Sequence, residues 1–198
     1  MEAPEHDWLD QYRRGDVEAL GKLVEHFRRP LFGFIVKMTE GRGDADEIFQ
    51  EAWFRAIKNL DGYRDQRFLS WMFRIAHNLI IDRARKARPQ VDLGTGNGSD
   101  EQTNTEAIAN RFAAPGIGPA GETSGRDLGR RISDAVSRLP HEQREVFLMR
   151  MEGDLPFKEI AKVQGTSLNT ALSRMQYALT KLRVELKSDY EHLAGVRP

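Results

Sequence analysis

The run FKEIAKVQGTSLNTALSRMQYALTKLR, residues 157–183, holds two helical apolar repeats on either side of a break at 165–167. Ile160, Ala161 and Val163 mark the first repeat. Leu168, Ala171 and Met175 mark the second at intervals of three and four, which places them on one side of a helix with 3.6 residues per turn. Gly165 separates the two, because glycine enters tight turns without a Cβ clash. The reading is helix, turn, helix, with a small core between the helices and the start of the second left outward. In the DNA-binding form of this motif that start lies in the major groove, where side chains meet base edges and phosphates. Ser167, Asn169, Thr170, Ser173, Arg174 and Tyr177 stand there, followed by Lys181, and they are the candidate DNA contacts of this segment. Such patterns are common, so the motif alone allows a DNA reader without requiring one.

Upstream, helical spacing continues over 128–139 and 141–151. Each interruption has a chemical cause: Pro140 after Leu139, then Gly153 with Pro156. This second module runs from about 127 to 188. Ahead of it, residues 89–125 contain seven of the 17 glycines, three prolines and Phe112 as their one aromatic residue, too little to bury a core. A flexible linker over 89–126 is predicted, with plain disorder favoured over a short helix at 106–112 capped by Thr105.

A first module occupies 8–88. Residues 17–38 carry Leu20, Leu23, Val24, Phe27, Leu31, Phe34 and Ile35, with Pro30 expected to kink the helix or start a new one. In DADEIFQEAWFRAIKNL, residues 44–60, Ala45, Phe49, Ala52, Trp53, Ala56 and Leu60 share one side. Glu47, Gln50, Glu51, Phe54 and Lys58 share the other. An aromatic ring in a mostly acidic face suits a basic protein partner and would be repelled by DNA phosphate; the alternative is a solvated face with Phe54 tucked under a neighbour. Residues 68–87 place Phe68, Leu69, Met72, Ile75, Ala76 and Leu79 inward, and Trp71, Arg74, Asn78, Ile81 and Arg85 outward. Tyr63, Arg64 and Arg67 precede them in a loop. Guanidinium and amide donors beside an indole can hold a phosphate backbone and stack an unpaired base. In the alternative, Trp71 joins the core, Asp82 pairs with Arg83 or Arg85, and the terminal cations satisfy the helix end.

Composition narrows the function classes. The 198 residues hold 30 Lys+Arg against 30 Asp+Glu, a formal net charge of zero, so DNA affinity requires cations segregated on particular faces. With no cysteine, disulfides, thiolate clusters and a Cys nucleophile are excluded. His6, His26, His77, His141 and His192 are scattered, without the i, i+4 pairing of a metal helix or a neighbouring nucleophile, so a hydrolase is disfavoured and no cofactor or metal is expected. No stretch approaches the length of a membrane span and the N-terminus lacks an apolar run, which predicts a soluble, unexported chain.

In both modules and in the right order, the chain resembles a bacterial RNA polymerase sigma factor of the extracytoplasmic-function class of the sigma-70 family. DADEIFQEAWFRAIKNL is similar to that family's polymerase-binding helix, and FLSWMFRIAHNLIIDRARK, residues 68–86, to its promoter-melting and minus-ten-reading helix. SRLPHEQREVFLMRMEGDLPFKEIA, residues 137–161, resembles the start of its second conserved domain, and the last helix its minus-thirty-five reader. The resemblance implies an all-α chain: a helical domain of region 2 type over 8–88, a flexible linker over 89–126, and a helix-turn-helix domain of region 4 type over 127–188. It implies that Glu47, Gln50 and Glu51 grip the coiled coil of the largest polymerase subunit with Phe54 beside them. Tyr63, Arg64, Arg67, Trp71, Arg74, Asn78 and Arg85 would meet minus-ten DNA. Positions 167, 169, 170, 172, 173, 174, 177 and 181 would meet minus-thirty-five DNA, with the second domain seated on the polymerase flap. Core polymerase, promoter DNA and an anti-sigma factor are the implied partners of a cytoplasmic, non-catalytic chain that is monomeric when apart from polymerase.

Three departures stand out. Leu172 takes a position where most relatives carry Lys or Arg, Met175 to Ala178 replace a usually basic stretch, and Gln164 replaces a common Leu. Fewer cations neutralise fewer phosphates, which predicts weak or unusual minus-thirty-five binding. The rival readings are a sigma-like mimic that sequesters an anti-sigma protein and an ordinary helix-turn-helix regulator, which would bind DNA as a dimer without polymerase.

Overall fold

The computed structural model describes residues 4–39, 43–63, 67–87 and 122–187. Among them are eight α-helices and no strand: α1 (Pro4–Arg13), α2 (Val17–Met38), α3 (Ala45–Lys58), α4 (Phe68–Ala87), α5 (Glu122–Ser137), α6 (His141–Gly153), α7 (Phe157–Gln164) and α8 (Leu168–Glu185), with a single 3-10 turn at Leu60–Gly62. The all-α reading holds. The short helix considered at 106–112 lies outside the described residues.

Local chemistry sets the helix ends. Asp16 caps α2 by accepting the Glu18 N–H at 2.9 Å, and Ser167 caps α8 by accepting that of Thr170 at 3.1 Å. Gly165 ends α7 at φ +61°, the left-handed conformation its lack of a Cβ permits, and directs the chain into α8. α2 runs through Pro30 as one helix of 22 residues, with Ala19, Leu23, Phe27, Leu31, Phe34, Ile35 and Met38 buried along it. Two helices begin earlier than expected. α1 starts at Pro4, ahead of residue 8, and buries Leu9 beside Trp8 and Tyr12. α5 starts at Glu122, inside the segment read as linker.

α2 is the spine of the first module, touching α1, α3 and α4. α6, α7 and α8 form the second module's core, with α5 against α8. The modules are docked on one another: α2 lies against α6, and α4 against α7. The structure corrects the face assignment of α4. Phe73, which was not placed inward, is fully buried, as are Ile80 and Ser70, while Leu69 and Ile75 are only partly covered. Phe73 meets Phe34 edge-to-face at 4.7 Å, and its far side reaches Gly153 at the end of α6. A Cβ at Gly153 would stand 2.7 Å from the Phe73 ring and from Leu155, closer than packed carbons approach, so only glycine fits this junction. Ionic contacts rim the junction. Lys37 pairs with Glu152, and His77 on α4 meets Glu145, a buried carboxylate on α6.

Candidate functional site

Helices α3 and α4 enclose an open groove of about 620 Å³. Glu47, Gln50, Glu51 and Phe54 line it from α3; Leu79, Asp82, Arg83 and Lys86 line it from α4. The grouping follows from periodicity, because burying Ala45, Ile48, Ala52, Trp53 and Ala56 turns the opposite side of α3 outward. Phe54 is 52% exposed, with Lys58 Nζ 4.2 Å from its ring centroid, so the tucked-under alternative does not hold. Arg83 reaches Glu47 at 3.0 Å and Asp44 at 3.8 Å, and Arg55 reaches Glu51 at 2.7 Å. The alternative pairing of Asp82 with Arg83 does not form, since Arg83 turns to Glu47 and Asp44 instead. These pairs are solvent-facing and each contributes roughly 0–1 kcal/mol, so a stronger cationic partner can displace them.

Minus-ten candidates lie on the other flank of α4. Tyr63 and Trp71 stack with centroids 5.2 Å apart, and Phe68 closes the cluster at 5.5 and 5.7 Å. Tyr63 is 7% exposed, so its ring is a packing element that supports Trp71 rather than the free stacking platform expected of it. Trp71 itself is half-buried. Arg67 donates to the Asp154 carbonyl at 3.3 Å and Arg74 to that of Lys162 at 3.2 Å, both in the second module. Asp154 ends α6 at φ 46°, one of the few non-glycine side chains that tolerates this conformation. Asn78 and Arg85 are exposed, and Arg64 lies outside the described residues.

On α8 and its cap, Ser167, Asn169, Tyr177 and Lys181 are exposed, while Thr170, Ser173 and Arg174 are half-buried. Ser167 is spent partly on capping, its Oγ lying 2.8 Å from Thr170 Oγ1. Leu172 is 3% exposed and cannot reach DNA, which corrects its place among the contacts: it packs inward like Ala171 and Met175. Gln164 is a hub. Its carbonyl oxygen accepts from Arg174 at 3.0 Å, and its amide donates to Glu145 at 2.6 Å and to the Glu142 carbonyl at 3.1 Å. A line of polar contacts thus joins His77, Glu145, Gln164 and Arg174, from α4 to the reading helix.

Comparison with known families now bears on this geometry. The sigma-70 region 2 model matches residues 23–90 and the sigma-70 region 4 model matches 129–182, together more than half of the chain. The chain belongs to the sigma-70 family. It is similar to the extracytoplasmic-function sigma factor SigW of Bacillus subtilis, 27% identical over 90% of this chain and 95% of that one. SigK of Mycobacterium tuberculosis H37Rv is 22% identical over 85% and 86%. Two solved structures share the fold with a TM-score of 0.64: the sigma factor RpoE in complex with the anti-sigma factor NepR from Bartonella quintana, at 18% identity over 87% of this chain and 99% of that one, and CnrH in complex with the cytosolic domain of CnrY, at 21% over 94% and 99%. As a sigma factor, the chain binds core RNA polymerase and promoter DNA for transcription initiation. Among the described residues no helix is long and apolar enough to cross a membrane.

Four residues that join parts of this sigma factor escaped the sequence. Glu145 carries the module junction, yet a lone acid in EVFLM reads as a solvated turn of helix. Lys37 and Glu152 pair across 115 positions. Arg13 donates to two backbone carbonyls, which leave no side-chain signature.

Proposed function

We propose that this sigma factor holds core polymerase through the α3–α4 groove, with Glu47, Gln50 and Glu51 facing a basic coiled coil and Phe54 packing beside them. The observation that carries this assignment is that all four line one open groove. Trp71, Arg74, Asn78 and Arg85, with Arg67 ahead of them, take minus-ten DNA; Asn169, Ser173, Arg174, Tyr177 and Lys181 take minus-thirty-five DNA, with Thr170 and Ser167 shaping the helix start. The division at 8–88, 89–126 and 127–188 is kept, α1 and α5 beginning a few residues ahead of their modules. DNA reading by α4 requires the modules to part, because Arg67 and Arg74 donate to carbonyls of the second module while they are docked. Polymerase supplies the chemistry, inside the cell, and the sigma factor catalyses nothing. A regulator of the anti-sigma kind holds it in reserve, a reading supported by the two sigma factors of like fold solved with such partners. Titrating core polymerase with the full chain and then with variants of the groove, followed by run-off transcription on genomic fragments, tests the assignment: promoter-dependent transcripts are expected, and a chain that binds neither core nor promoter would point to the mimic reading.

A further inference from the structure

The helix α1 lies outside the matched region 2 segment, which starts at residue 23. Its last residue nevertheless reaches the aromatic cluster of the proposed minus-ten surface. Arg13 Nη2 donates to the Leu60 carbonyl at 3.3 Å and to the Tyr63 carbonyl at 3.2 Å, while Nη1 reaches Asp10 at 3.5 Å. One guanidinium therefore ties together both ends of the 3-10 turn that delivers Tyr63. A planar fork suits this task, since its hydrogen bonds are directional and charge-assisted.

A second, independent connection runs through rings. Trp8 of α1 meets His26 at 5.3 Å, His26 meets Phe27 at 4.7 Å, Phe27 meets Phe68 at 5.2 Å, and Phe68 meets both Tyr63 and Trp71. Tyr63 is thus fixed at its backbone by Arg13 and at its ring by Phe68 and Trp71. Tyr63, buried against the Trp71 ring, thereby limits the orientations open to the half-buried indole.

We infer that Arg13 is a positioning residue for promoter opening: by clamping the turn at Leu60–Tyr63 it holds Tyr63 behind Trp71 and so orients the indole that stacks minus-ten DNA. The inference rests on the minus-ten reading above. It assigns a role in promoter opening to a helix outside the matched segment. Holding a stacking group in its working geometry removes an ordering cost from the bound state, so loss of the clamp weakens single-strand capture more than anything else.

The test uses holoenzyme assembled from the full chain and core polymerase, on fork-junction DNA from a promoter that the holoenzyme transcribes, with 2-aminopurine in the minus-ten strand. Arg13→Ala is expected to lower fork-junction affinity about tenfold and to shrink the unstacking signal, with core affinity held within about twofold. Arg13→Lys keeps the charge without the fork and is expected to recover part of the signal. Trp71→Ala is the reference and should lose at least as much as Arg13→Ala. Wild-type fork affinity and signal in Arg13→Ala, beside a loss in Trp71→Ala, would overturn the clamp alone. Equal loss of core and fork affinity in Arg13→Ala, with no gain in Arg13→Lys, would mark a merely structural helix and also overturn it. A silent Trp71→Ala would remove the minus-ten reading and the clamp with it.

Discussion

The groove between α3 and α4 and the proposed DNA-reading flanks of α4 and α8 are built from similar groups, yet they stand in opposite states. In the groove, Gln50 and Phe54 face solvent and the carboxylates hold exposed, weak pairs within the first module. On the proposed reading flank of α4, Arg67 and Arg74 already donate to Asp154 and Lys162 of the second module, while Arg174 of α8 is held by Gln164 within its own module. The lesson concerns order of events. A face that keeps only screened surface pairs is ready for a partner, whereas a face whose cations are engaged across a packed junction must first lose that junction. On the proposed assignment, polymerase capture would precede DNA reading.

Breaking the open face should have the largest effect. Glu47→Lys combined with Glu51→Lys replaces attraction by repulsion on one surface, and core affinity is expected to fall about a hundredfold or more, read by titration with labelled core. The fold should survive, since neither residue is buried. Next comes Leu172→Arg, which places an unpaired cation in a buried position and is expected to cost about 3 kcal/mol, seen as earlier melting without any steeper salt dependence of DNA binding. A gain in DNA affinity with unchanged melting would reverse the burial assignment.

The junction can be probed more gently. Gly153→Ala sets a methyl against Phe73 and Leu155 and is expected to cost about 2 kcal/mol, with looser module contact in small-angle scattering. The smallest effect belongs to Gln164→Leu, which restores the family's common residue. It removes one donor from Glu145 and the acceptor of Arg174, so about 1 kcal/mol of stability should be lost while minus-thirty-five DNA affinity rises a few-fold, measured by fluorescence anisotropy.

The sequence made the helices legible wherever one face was buried within its own module. Gly165 and Ser167 mark the turn and cap that the structure shows, and the outward set on α3 emerges from its spacing with Ile48 the one core residue missed. The errors have separate causes. Phe73 was legible in its spacing, four residues after Leu69 and three before Ala76, and it is covered by Phe34 of its own module as well as by Gly153 of the other. Leu172 looked available because family position suggested a cation, although its local neighbours Ala171 and Met175 are both core. Tyr63 looked free because a loop residue carries no face to read, and the residue that fixes it, Arg13, lies 50 positions away.

The most direct test of the proposed order exploits a chain without cysteine. Lys37→Cys and Glu152→Cys, placed where the two side chains meet across the junction, can be joined by a short cleavable thiol linker. The locked chain should still bind core polymerase through the α3–α4 groove, fail in run-off transcription, and recover when the linker is cut. Full transcription from the locked chain, at the level of the cut one, would contradict the requirement that the modules part before DNA is read.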